Sequence, residues 1–279
     1  MNYFESILLI QFLVATMLSL GMSSTAREIL EPLHDLRLVG LMLMLNFILA
    51  PGLAWLLMRI IPLDQGYATG LLLLGAAAGA PFLPNLAKTA HCDLHLAVAS
   101  VMLLTAGTIL FMPLALPLLA PGIKTDPWSI ARPLLLLIVL PVALGMAVKA
   151  LAARSARVTA PVLAKLGTAC LALLSVLLVV HNVRGFLALV GTGAIAVMVL
   201  HISLVAVAGW LLGALKPDAK GILCLGAGAR NFGAAFVPAA ELHDPNVTNL
   251  LTASAIVSLL GLFPLANWIG RRSPSASHR

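Results

Sequence analysis

The sequence predicts an all-α, polytopic membrane protein with about nine transmembrane helices. Hydrophobic residues make up 61% of the 279 positions and charged residues only 10%. Apolar runs repeatedly reach the roughly 20 residues that a helix needs to cross about 30 Å of hydrocarbon. These runs are continuous rather than alternating, which argues against a transmembrane β-barrel.

The apolar runs follow one another with short connections. The first run is interpreted as a helix and not as a signal peptide, because no basic residue precedes Glu5. The predicted spans are centred near Leu13, Phe47, Ala76, Thr108, Leu140, Leu173, Leu200, Gly233 and Val257.

Basic residues are divided unevenly between the predicted loops. With nine spans and the N-terminus outside, twelve of the 17 Lys and Arg residues fall in inner loops or the C-terminal tail, and four fall outside. The positive-inside rule therefore predicts a cell (inner) membrane protein whose C-terminus lies on the cytoplasmic side. The net charge of +7 reports this topology, and we expect no nucleic-acid partner.

The spans divide into an inverted repeat within a single transmembrane domain, residues 1–279. We predict a first repeat over about residues 6–119, a linking helix over about 132–151 and a second repeat over about 160–269. The single linking span makes the second set of four enter the membrane in the opposite sense. The tetrapeptide Leu-Leu-Thr-Ala occurs in both repeats, at residues 103–106 and 250–253.

Two apolar segments in corresponding halves, residues 71–85 and 222–238, are interrupted by glycine and proline. Such paired interruptions indicate discontinuous helices at the substrate site of a secondary transporter. The alternative is close helix packing through small residues. The residues predicted to interrupt the helices are Gly75, Gly79, Pro81, Pro84, Gly226, Gly228 and Gly233.

Arg230 lies in the middle of the second interrupted segment. A guanidinium at that depth should face the protein interior and have a partner. The ten acidic residues all fall in loops or at span ends, so we predict an anionic substrate as the partner. The alternative is a structural clamp on carbonyls freed by the other broken helix.

Three asparagines complete the candidate substrate site: Asn231 and Asn85 in the broken segments, and Asn46, whose amide could turn toward them. Five intramembrane hydroxyl residues can bond to carbonyls of their own helices, and most of them are expected to do so: Thr105, Thr108, Thr252, Ser254 and Ser258. The chain carries no zinc-protease His pair, nucleophile elbow or phosphate loop. We therefore predict that it is not an enzyme and has no cofactor.

Several short motifs occur in a fixed order along the chain: MLSLGMSSTAR at residues 17–27, Asn46-Phe47 with Pro51, GAPFLPN at 79–85 with Asp93 and Ala97, and GARNFGAA at 228–235. In order and spacing these motifs resemble the bile acid:sodium symporter (BASS) family, as in a divergent bacterial-type member. The resemblance covers nearly the whole chain and implies two discontinuous helices that cross beside a mobile helical panel. It also implies alternating access for organic anions coupled to sodium.

The resemblance also exposes departures at the sodium ligands. Asn46 matches a glutamine that contributes to a sodium site in family members, and Asn85 matches their asparagine in the first broken helix. Both are the candidate sodium ligands here. The family's sodium-binding glutamate falls on Gly226, and a glutamine four residues later falls on Arg230. A fixed positive charge there would repel sodium.

The sequence therefore predicts a secondary active transporter of a small organic anion in the lipid bilayer, with sodium as the candidate coupling ion. Two alternatives are kept. One is a sodium-independent exporter or uniporter on the same fold, and the other is a non-transporting membrane receptor or assembly subunit.

Overall fold

The computed structural model describes residues 3–119 and 127–272, so both ends of the predicted domain lie outside the described residues. Within these ranges every secondary-structure element is helical. The helices are α1 Tyr3–Ser23, α2 Ala26–Leu30, α3 Leu36–Met44, α4 Ala50–Ile60, α5 Gln65–Ala76, α6 Leu83–Thr89, α7 Leu94–Leu119, α8 Pro127–Leu134, α9 Leu140–Leu151, α10 Ala153–His181, α11 Val183–Ala188, α12 Ala194–Leu212, α13 Lys220–Gly228, α14 Phe232–Leu242 and α15 Pro245–Arg272.

The described residues contain eight helical stretches that are long and apolar enough to cross a membrane. The chain is thus an integral, multi-pass membrane protein, and the predicted all-α fold is confirmed. The third predicted span, centred near Ala76, is divided into α5 and α6 and is not one continuous helix. The inverted repeat stays a prediction.

Two aspartates outside the spans cap the N-termini of helices and also contact residues that are distant in sequence. Asp35 caps α3 and also pairs with Lys216, which precedes α13. The hydrogen bond from that ammonium group, followed by the one from the Leu38 amide, lowers the pKa of Asp35. Asp64 caps α5 and accepts a hydrogen bond from Asn246 on α15 at 3.0 Å. The connecting loops are thereby tied to one another.

Two spans contain a π-helical turn, Leu45–Leu49 between α3 and α4 and Leu135–Val139 between α8 and α9. Each turn is followed two residues later by a proline, Pro51 or Pro141. Proline cannot donate to the carbonyl four residues earlier, and its ring crowds that carbonyl. We attribute the wider turn to this crowding.

Helices α1 and α10, together with the span formed by α8 and α9, make a three-helix group. Glycines bring the backbones of α1 and α9 together, since a Cβ on Gly145 would lie 2.7 Å from the Met22 amide nitrogen. Ser19 Oγ on α1 donates to the Ala160 carbonyl of α10 at 2.7 Å. Such close approach through small residues is how helices pack in the absence of a hydrophobic driving force.

We predict that Gly145→Ala destabilises the protein, because the added methyl group would meet backbone atoms of α1 that cannot move aside. The expected cost is about 1–3 kcal/mol, measured as a lower thermal midpoint of the purified protein in detergent. Gly52→Ala is the matched control, since nothing lies within 4 Å of a Cβ at that helical glycine. Equal midpoints for the two variants would contradict the packing described.

Candidate functional site at the two broken helices

The first break, residues 77–82, separates α5 from α6. Gly79 has a φ of 81°, in the left-handed region that glycine adopts at no steric cost. A Cβ there would lie 2.7 Å from the Thr105 amide nitrogen of α7. Thr108 Oγ1, also on α7, accepts from the Ala78 amide and donates to the Ala78 carbonyl, both at 3.0 Å. Helix α7 thus holds the non-helical backbone in place.

The second break, residues 229–231, separates α13 from α14. Asn231 caps α14, because its Oδ1 accepts from the Ala234 amide at 3.1 Å. Its own amide donates to the Ala77 carbonyl at 3.1 Å, and its Nδ2 donates to the Gly79 carbonyl at 3.2 Å. The two interrupted helices therefore meet at their breaks.

Arg230 is fully buried between the same two breaks. Its Nε donates to the Leu74 carbonyl at 3.0 Å, and its Nη2 donates to the Gly75 carbonyl at 2.6 Å. Its Nη1 donates to Asn46 Oδ1 at 2.9 Å and to the Ala227 carbonyl at 3.3 Å. These four oxygens, from the ends of α5 and α13 and from the first π turn, are called the oxygen cluster below.

The contacts in the oxygen cluster explain how the last backbone carbonyls of α5 obtain hydrogen-bond donors within the membrane. The last carbonyls of a helix have no partner within it, and lipid offers none. Arg230 donates hydrogen bonds to the Leu74 and Gly75 carbonyls. Within the described residues no carboxylate lies within 4 Å of its guanidinium. These contacts agree with the clamp alternative, whereas anion binding by Arg230 stays a prediction.

The two other predicted asparagines differ in their contacts. Asn46 lies in the π turn, and its Nδ2 donates to the Met42 carbonyl at 2.9 Å, which directs Oδ1 toward Arg230. The amide thus faces the broken helices, as the sequence suggested. Asn85 lies on α6, and its Nδ2 has no hydrogen-bond partner among the described residues. The structure therefore joins Asn46 to Arg230, while no described hydrogen bond brings the Asn85 side chain to either.

The predicted glycines act in two ways. Gly79 lies in the break itself and has positive φ. Gly75, Gly226 and Gly228 lie within α5 and α13, where an added Cβ would first meet a neighbouring side chain at 2.9, 3.3 and 3.0 Å. Close packing is thus their observed role.

The second half-helices begin beside each other. Pro84 lies in the first turn of α6, where its missing N–H is tolerated, and Pro81 lies in the break just before it. Gly233 lies in the first turn of α14. The rings of Phe82 and Phe232 stack with centroids 6.3 Å apart and planes within 6°. Both half-helices thus start next to one pair of aromatic rings.

A cavity of about 340 Å³ lies between the three-helix group and these rings. Its described lining is almost entirely apolar, with Asn231 and Thr252 as the polar members, and does not include Arg230. The lining residues are Leu9, Phe12, Leu13, Pro81, Phe82, Pro133, Leu134, Leu137, Ile138, Leu171, Leu174, Leu178, Asn231, Phe232, Gly233, Phe236, Thr252, Ala255 and Leu259.

Thr108 and His201 are buried side chains whose contacts the sequence did not reveal. Thr108 is an exception to the expectation for most of the intramembrane hydroxyls, because it bonds to the backbone of Ala78 in the first break. Thr252 does bond to its own helix, at the Thr248 carbonyl. His201 on α12 is fully buried, and its Nε2 lies 2.9 Å from the Ala50 carbonyl, next to the π turn. The role of Thr108 could have been suspected from the sequence, because Thr108 lies on the span that directly follows the first broken segment in the chain.

We predict that Asn46→Ala destabilises the protein, because Arg230 Nη1 would keep only the 3.3 Å contact with Ala227. Leaving a buried donor poorly paired costs about 1–3 kcal/mol, and more when it is charged. Asn46→Asp keeps the acceptor and should be closer to the wild type in thermal midpoint.

Asn182→Ala is the matched control, since Asn182 makes the same bond to the carbonyl four residues earlier but does not contact Arg230. A midpoint for Asn46→Ala equal to that of the control would show that the Arg230 contact contributes nothing.

No curated protein shows significant similarity to the chain. A family model described as the sodium bile acid symporter family matches residues 10–189, which include most of α1, the first break and all of α10. The match covers more than half of the chain, and the chain belongs to the sodium bile acid symporter family, a family of transporters.

Proposed function

We propose that the protein is a secondary transporter of a small organic anion. The observation that carries the proposal is the cavity at which both helix breaks meet the three-helix group. In secondary transporters, substrate sites lie near the bilayer midplane where discontinuous helices start and end. Membership of a transporter family supports the same function.

The cavity also indicates the kind of substrate. Its volume of about 340 Å³ is at the lower end of the range for ligand pockets, about 300–1,000 Å³. Apolar walls suit a substrate with an apolar body. The N-terminus of α14 borders the cavity at Phe232 and Gly233, and the positive end of a helix dipole favours an anionic group.

Transport would occur by alternating access. The three-helix group would rock against the helices that carry the breaks, so that the cavity opens to one side of the membrane at a time. The charge distribution supports an inner-membrane orientation with the N-terminus outside and the C-terminus in the cytoplasm. Two forms of this transport follow from the sequence, one coupled to sodium and one independent of it.

The direct test is uptake of radiolabelled pyruvate, benzoate and taurocholate into proteoliposomes. We expect saturable flux of at least one of the smaller anions, reduced about tenfold by Leu137→Trp, because the indole would fill part of the cavity; a tenfold change corresponds to about 1.4 kcal/mol.

Leu136→Trp is the matched control, since Leu136 is the adjacent residue, is exposed and does not line the cavity. Equal flux in the two variants would exclude the cavity as the substrate site. Stabilisation of the protein by one of these anions without flux would instead favour a receptor.

A further inference from the structure

The oxygen cluster has the composition of a cation site. Three backbone carbonyls and one amide oxygen surround the guanidinium of Arg230, from the ends of α5 and α13 and from the π turn. Carbonyls at helix breaks and the C-terminal ends of half-helices are the groups that coordinate Na⁺ in transporters with broken helices. The position is therefore one where a coupling cation would be expected.

The charges at this point are balanced by the chain itself. The C-terminus of a helix carries about half a negative charge, and α5 and α13 both end at the cluster. One guanidinium charge offsets these two ends. Arg230 is fully buried there, and arginine keeps its charge in proteins.

The residues of the oxygen cluster do not fit a sodium ion. All four oxygens of the cluster accept hydrogen bonds from Arg230 at 2.6–3.3 Å. Asn46, one of the two candidate sodium ligands, is among them. A second cation would find its ligands occupied and would be repelled by the fixed charge.

We propose that Arg230 is a tethered, permanent substitute for the coupling cation, so that this protein carries its anion without sodium. The inference rests on the proposed transport function. A cation that is never released cannot transmit the energy of a sodium gradient. The protein would therefore act as a uniporter or exchanger that follows the gradient of the anion and the membrane voltage.

The first test is the thermal midpoint of the purified protein in sodium chloride and in potassium chloride at equal ionic strength. We expect the same midpoint in both salts for the wild type and for Arg230→Lys, which keeps a tethered charge. A saturable rise with sodium in either protein would overturn the inference.

Arg230→Gln removes the charge and leaves the cluster open. We expect a lower midpoint in potassium chloride and a partial, saturable recovery in sodium chloride. Adding Gly226→Glu should strengthen the recovery, because the family resemblance places a sodium-binding carboxylate at this position. The side chain can be accommodated there, since a Cβ on Gly226 first meets the tip of the Leu83 side chain, at 3.3 Å. Folded variants indifferent to sodium would overturn the inference. If both variants fail to fold, the wild type and Arg230→Lys still decide it.

The second test is the uptake of benzoate and pyruvate by proteoliposomes with external sodium replaced by potassium at fixed voltage and pH. We expect unchanged rates, and accumulation driven by a sodium gradient would overturn the inference. Absence of flux for every anion would instead contradict the proposed transport function, and the midpoint measurements, which need no substrate, would then decide the inference.

Discussion

The hydrogen bonds of Arg230 hold the centre of this protein together. One planar group with five N–H donors serves the last turn of α5, the last turn of α13 and the π turn that carries Asn46. Each of these oxygens would otherwise be a buried acceptor in a membrane that contains no water to satisfy it. The crossing of two interrupted helices is therefore possible because a guanidinium lies between them.

Proline and glycine determine where the chain can depart from the helix. Pro51 and Pro141 follow the two π turns, and these turns place Asn46 against Arg230 and Leu137 against the cavity. Gly79 provides the positive φ of the first break. The same local rules thus shape both the oxygen cluster and the cavity, which have no residue in common.

The sequence predicted the spans, both breaks and the inward orientation of Arg230, because hydrophobic length, glycine, proline and a buried charge are local signals. It did not predict which groups Arg230 contacts. The absence of carboxylates within the predicted spans suggested an anion, which stays a prediction. The observed partners are three backbone carbonyls, whose direction depends on where α5 and α13 end, and the side-chain amide of Asn46. The pairing of Thr108 with Ala78 and the cavity between distant helices likewise depend on tertiary packing, which a single sequence does not encode locally.

Equilibrium binding of radioactive sodium to the purified protein, measured beside its Arg230→Gln variant, tests the central claim most directly. If Arg230 occupies the place of the coupling cation, the wild type will show no saturable sodium binding, and the variant will bind sodium because its oxygen cluster is open. Saturable binding of about one sodium ion per wild-type chain would contradict the account.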